Sequence, residues 1–167
     1  MNKQRYNNNL NLLLVLCLNL TLFACATTKN SDTHESEDEI IQNNLNVKFR
    51  TLSQGAYSNI SLANQFVIRN QKEWQRSWDI HNGRNSNNRP DVNFENDFVI
   101  AVFAGQQPSG GYKVGISNIT RKDQDLFVTL TFTEPGRNEK VSLALTQPYI
   151  FIATRKVEGK IIFLAGK

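Results

Sequence analysis

Any chemistry in this chain would have to come from very few side chains. Among 167 residues there are two histidines, His34 and His81, and two cysteines, Cys17 and Cys25. No cysteine follows Cys25, so the remainder of the chain has neither a disulfide framework nor a cysteine zinc site. A Ser-His-Asp site would have to use His81. Ser109 lies in Gln-Pro-Ser-Gly-Gly, which lacks both the leading glycine of a nucleophile elbow and the helix that should follow it. A zinc site needs three or four nitrogen, sulfur or carboxylate ligands, and one histidine cannot seed it. Asp91, Glu95 and Asp97 are near enough in sequence to suggest calcium, but their spacing fits no calcium loop and reads as a solvated acidic turn. No glycine-rich run has the phosphate-binding spacing. The expectation is a protein that is not an enzyme and uses no metal and no cofactor.

Cys25 has a different chemistry. Met1 to Asn9 carries Lys3 and Arg5 and no acid, and Leu10 to Ala24 is a leucine-rich run of fifteen mostly apolar residues. A membrane-spanning helix needs about 20 such residues, whereas this length suits the apolar region of a secretory signal. Leu22-Phe23-Ala24-Cys25 then resembles a lipobox, with an aliphatic residue at −3, a small one at −1 and cysteine at +1. Phe23 is larger than usual at −2, and the alternative is an ordinary signal-peptidase site with an incidental cysteine. Residues 1–24 are expected to be a lipoprotein signal peptide and Cys25 the lipidated residue. Two or three acyl chains anchor firmly where one does not. The address is a bacterial cell envelope, at the outer membrane or cell surface.

Residues 25–46 are polar and carry five acids against Lys29. Such a segment buries too little to offset its ordering entropy and is expected to be a flexible tether. At about 20 residues its root-mean-square reach is roughly 25 Å. Residues 47–167 hold 16 Lys and Arg against 10 Asp and Glu, scattered without a run. That is a mildly basic, solvated surface, and nucleic acid is not an expected partner.

The patterning of 47–167 is mainly β. Val47 to Leu52, Tyr112 to Ile119 and Leu126 to Phe132 alternate, and Gln65 to Arg69 is a short β-rich run. Phe98 to Phe103 is continuously apolar, as in a strand buried on both faces. Tyr149 to Ala153 and Ile161 to Leu164 are expected to pair as a hairpin through Glu158-Gly159. One segment is helical. Asn70 and Glu73 form a capping-box pattern, Trp74 and Trp78 share a face, and Gly83 supplies the stop. Those tryptophans either pin the helix to a sheet or form a stacking platform for sugar or peptide. The fold class is an antiparallel β-sandwich or roll of about seven strands with one short helix.

Between two strands lies Gly105-Gln-Gln-Pro-Ser-Gly-Gly-Tyr112, expected to make a hairpin-like crossing. Pro108 stiffens its entry, and Gly110 and Gly111 permit positive φ and close backbone approach. It is either a turn or a rigid recognition loop comprising Gln107, Pro108, Ser109, Gly110, Gly111 and Tyr112, and loops on rigid sheets are common binding sites.

The run from Asp97 through Pro108-Ser-Gly-Gly-Tyr112 to Ile116 resembles the PrcB C-terminal domain family. The tryptophan-bearing helix, Pro135 and Gln147-Pro148-Tyr149 extend the likeness over about residues 55–165. The family is named for an accessory lipoprotein that associates with and stabilises a surface subtilisin-type protease. The resemblance therefore implies a non-catalytic binding domain whose partner is a surface or secreted protease or another envelope protein, with the membrane engaged through lipid on Cys25. Pro-Ser-Gly-Gly-Tyr is also similar to the Asn-Pro-Thr-Thr-Gly-Tyr loop of chagasin-type protease inhibitors. Gln107, Gly110 and Val114 depart from that pattern. An inhibitor inserting Pro108–Tyr112 into a protease cleft is one alternative function, and a purely structural envelope lipoprotein is another.

Overall fold

A computed structural model describes residues 45–83 and 88–166. The expected signal peptide, Cys25 and all but the last two tether residues lie outside the described residues. The described elements are β1 (Phe49–Gly55), β2 (Asn64–Ile68), α1 (Gln71–Asn82), β3 (Asp97–Phe103), β4 (Lys113–Lys122), β5 (Asp125–Thr133), β6 (Tyr149–Arg155) and β7 (Ile161–Ala165).

The central strands explain the rest. β3 and β6 are apolar at successive positions, so both of their faces must leave water. They pair antiparallel in the middle of a four-stranded sheet ordered β1-β6-β3-β2. On one face Phe98, Ile100, Val102, Ile150 and Ile152 meet Val114, Ile116, Ile119, Leu126 and Val128 of a three-stranded sheet ordered β4-β5-β7. On the other, Val99, Ala101, Phe103 and Phe151 meet Trp74 and Trp78 of α1. The result is three layers: helix, four-stranded sheet and three-stranded sheet. It is the expected mainly β sandwich.

Two bulges keep the alternation aligned with this core. The β1 register slips between Thr51 and Ser53, so Thr51 stands opposite Ile152 of the inter-sheet face and Ser53 opposite Phe151 of the helix face; Phe49 packs toward the inter-sheet core and Leu52 toward the helix. The β4 register slips between Ile116 and Asn118, which returns Ile119 to the interior.

α1 follows its sequence signals closely. The Asn70 side chain accepts the Glu73 N–H at 2.9 Å, and Glu73 Oε2 accepts the Arg69 N–H, one residue before the cap, at 2.9 Å. Gly83 ends the helix at φ 83°. Trp74 and Trp78 are both buried, stacked edge-on to each other and against Phe151. They pin the helix, and the stacking-platform alternative is excluded by their burial.

Two connections correct the sequence reading. β6 and β7 do not form a hairpin: they lie in different sheets, and β7 pairs parallel to β5. The link between them is held at both ends, by Lys156 N–H to Asn96 O at 2.9 Å and by Lys160 N–H to Asp125 Oδ1 at 2.8 Å. Gly159 serves close approach there, since a Cβ would overlap the Gln124 carbonyl. Likewise β3 and β4 are unpaired, and Ala104–Tyr112 carries the chain from one sheet to the other. The tight hairpin is Asp123-Gln124, between β4 and β5.

The two ends of the sandwich differ. Asn46 bridges to Thr120 and the Val47 N–H reaches Ile119 O at 2.8 Å, so the chain enters beside the β4–β5 hairpin. Segments 56–63, 104–112 and 134–148 lie at the opposite end.

The tryptophans give a stability contrast. Trp74 Nε1 donates to Pro90 O at 3.0 Å, whereas the buried Trp78 Nε1 has no acceptor among the described residues. Trp74→Phe strands a carbonyl, while Trp78→Phe removes an unpaired donor. In urea unfolding Trp74→Phe is expected to cost at least about 1 kcal/mol more than Trp78→Phe.

Candidate functional site

The Gly105–Tyr112 segment is fastened to its surroundings at nearly every residue. Gln106 N–H donates to Ser61 O at 2.9 Å. Gln107 exchanges backbone hydrogen bonds with Thr146, at 2.7 and 3.1 Å, and its side chain donates to Ala104 O at 3.0 Å. The buried Thr146 hydroxyl donates to Ser109 O at 2.7 Å, and the Gly110 N–H reaches Ser142 O at 2.9 Å. The Ser109 hydroxyl turns back onto Gly110 O at 3.0 Å. Gln147 N–H then ties the partner loop to Ala56 O at 2.8 Å. Three loops become one clasped unit.

The paired glycines face inward. Gly111 has φ 87°, and a Cβ there would lie 2.7 Å from Pro135 Cβ and 2.8 Å from Val141 Cγ1. A Cβ on Gly110 would meet Ser142 Oγ at 2.6 Å. Tyr112 is half-buried, its ring tilted over Phe132 at 6.0 Å. Within the motif Gln106 and Pro108 are the exposed residues. Most of Gln107–Tyr112 therefore faces the clasp and not the solvent.

What the clasp displays was not apparent in the sequence. The loop that it holds carries Leu143, 93% exposed, and Leu145, 55% exposed, and the Ala56 tie brings Tyr57, 63% exposed, to the same end. All three are carried on loops at the end of the sandwich opposite the chain's entry. In Val141-Ser-Leu-Ala-Leu145 the signal available was an apolar alternation with no place in a strand. Beside it an open cleft of about 430 Å³ is lined by Gln54–Ala56 and Gly111–Val114. The Gln54 amide crosses to Val114 O at 3.0 Å, so its wall joins the two sheets.

The catalytic candidates are dispersed. His81 Nδ1 lies 3.0 Å from the Ser58 hydroxyl, which also accepts the Ile60 N–H at 3.2 Å. The imidazole is packed among Trp78, Phe103, Tyr149 and Phe151, with the Tyr149 ring 4.0 Å away. Burial lowers its pKa from 6.5 to about 4, which keeps it neutral. This Ser-His pair is a core contact, and no carboxylate among the described residues bonds to it. Ser109 is in the clasp, remote in role from His81. Asp97 pairs with Arg155 at 3.7 Å, and no group of three or more His, Cys, Asp or Glu among the described residues is arranged to hold a metal.

Residues 98–155, from β3 through the clasp to the end of β6, match the family described as PrcB C-terminal. The match bears out the resemblance carried by Pro108-Ser-Gly-Gly-Tyr112, over a shorter span than 55–165. No curated protein matches the chain, and no solved structure does.

Two outcomes are expected. Gly111→Ala combines a left-handed φ with a steric overlap and should cost about 1–3 kcal/mol in urea unfolding, while Leu143→Asp, on an open side chain, should leave the midpoint nearly unchanged. For His81 the unfolded state binds the proton more tightly. Stability is therefore fully present above about pH 6.5 and falls as pH drops toward about 4, by up to about 3 kcal/mol. Urea midpoints from about pH 7 to about pH 4 should show this loss in the wild type and much less of it in His81→Gln.

Proposed function

We propose that this chain is a membrane-anchored, non-enzymatic lipoprotein whose β domain binds and stabilises a surface or secreted protease, subtilisin-type by the family resemblance. The observation that carries the reading is the clasped end of the sandwich. It presents Leu143, Leu145 and Tyr57 on loops fixed by hydrogen bonds, so little further entropy is lost on binding.

The position of that end supports the reading as well. The chain enters the sandwich beside Ile119 and Thr120, and the displayed leucines are at the other end. Burying each leucine contributes about 1.5–3 kcal/mol. Two of them alone make a weak complex, and tethering at millimolar effective concentration compensates. Because the clasp turns Gly110 and Gly111 inward, it favours an accessory surface over an inhibitor that inserts Pro108–Tyr112 into a cleft.

Affinity capture of the tagged full chain from native envelopes tests this. A protease is expected to copurify with the wild type and to fall at least about tenfold with Leu143→Asp/Leu145→Asp, a loss of about 1.4 kcal/mol. The circular dichroism and melting temperature of the double variant should be unchanged. Absence of any protease, or equal recovery with the double variant, contradicts the proposal.

A further inference from the structure

A second surface, distinct from the clasp, lies between α1 and the edge strand β2. β2 ends the four-stranded sheet, and its register with β3 pairs Asn64, Phe66 and Ile68 with Phe103, Ala101 and Val99. Two hydrogen bonds fix which backbone groups point outward. Ala104 N–H points to Pro148 O, on the β6 side, so by alternation Phe103, Ala101 and Val99 bond toward β2. Consistently, Gln65 N–H is not in the ladder but is capped by Asn64 Oδ1 at 2.8 Å. The outward groups are those of Gln65 and Val67. Gln65 N–H is occupied, and Arg69 N–H is taken by Glu73 at 2.9 Å. Gln65 C=O and both backbone groups of Val67 have no partner among the described residues.

Beside this short open edge is an apolar pocket of about 220 Å³, lined by Ile60, Phe66, Phe103, Ser77, Ile80 and Arg76. Phe66 is 37% and Ile80 53% exposed, so its walls are apolar and accessible. Arg76 is the one charged residue among those lining it. On α1, Glu73 is engaged by Arg69 N–H and Asp79 by the Gln75 amide at 2.9 and 3.0 Å, whereas Arg76 and Lys72 have no partner among the described residues. Strand edge, apolar pocket and free guanidinium lie side by side.

We infer that this groove binds the C-terminal segment of a partner protein as an added β-strand. The segment hydrogen-bonds to Val67 and Gln65, its terminal apolar side chain fills the Phe66–Ile80 pocket, and its terminal carboxylate pairs with Arg76. A single C-terminal residue supplies both the apolar group and the adjacent anion that the pocket and its rim call for. An uncharged internal strand would use the edge but not Arg76. This site is independent of the clasped loops, and the inference does not rest on their function.

The test uses the full chain and a fluorescein-labelled pentapeptide, Thr-Val-Thr-Val-Leu, as the free acid and as the C-terminal amide. Anisotropy titration is expected to give saturable binding of the acid, about tenfold tighter than the amide. Arg76→Gln should erase that difference, and Ile80→Asp should abolish binding of both. Both residues are exposed, and circular dichroism checks that the fold is retained. Amide shifts on binding should centre on Gln65 to Ile68. No saturation at millimolar peptide, equal affinity for acid and amide, or shifts confined to residues 141–147 overturns the inference. If sedimentation instead shows the chain pairing with itself, with Ile80→Asp monomeric and the peptide unbound, the occupant is a second copy and the peptide reading fails.

Discussion

The structure depends on a sheet that is apolar on both sides. β3 and β6 alternate between two cores, with Phe98, Ile100, Ile150 and Ile152 on one face and Val99, Ala101, Phe103 and Phe151 on the other. Neither face can be left to water, so the chain must supply two covers. It supplies a three-stranded sheet for one and α1, with its paired tryptophans, for the other. With no cysteine after Cys25, that double burial holds residues 47–167 together without a disulfide.

This requirement also sets the connections. A chain that has to build both layers of a sandwich crosses between them, and it does so at Ala104–Tyr112, over residues 134–148 and again at Lys156–Lys160. Short-range signals cannot reveal such crossings. Glu158-Gly159 has hairpin chemistry, and nothing local distinguishes a turn back into the same sheet from a step into the other. What decides it is the long-range fit of β7 alongside β5 and of Gly159 against the Gln124 carbonyl. The helix was legible because its determinants are local: Asn70, Glu73, Gly83 and the i, i+4 tryptophans all act within the fourteen residues from Asn70 to Gly83. The continuous run Phe98–Phe103 was legible for the same reason, since two-faced burial is written in consecutive residues.

The conspicuous motif was legible as a motif but not as a device. Pro108-Ser-Gly-Gly-Tyr112 draws the eye to its own residues, and it lies inside the 98–155 match to the family described as PrcB C-terminal. Its glycines nevertheless face Pro135, Val141 and Ser142, and the loop they hold exposes Leu143 and Leu145. The alternation of Val141, Leu143 and Leu145 does not by itself tell exposure from burial, because their exposure arises from a contact between segments some 30 residues apart. The motif is the fastening, and the surface lies on what it fastens. Gly110 and Gly111 would then matter to a partner through order, and Leu143 and Leu145 through contact.

We propose that the partner sits at the clasped end and not at the entry end. Hydrogen–deuterium exchange of the full chain, alone and in its captured protease complex, addresses it directly. The account predicts added protection at residues 141–147 and 105–112, with the β4–β5 hairpin around Asp123 unchanged. Protection at the hairpin and entry end, with 141–147 exchanging as in the free chain, would contradict it.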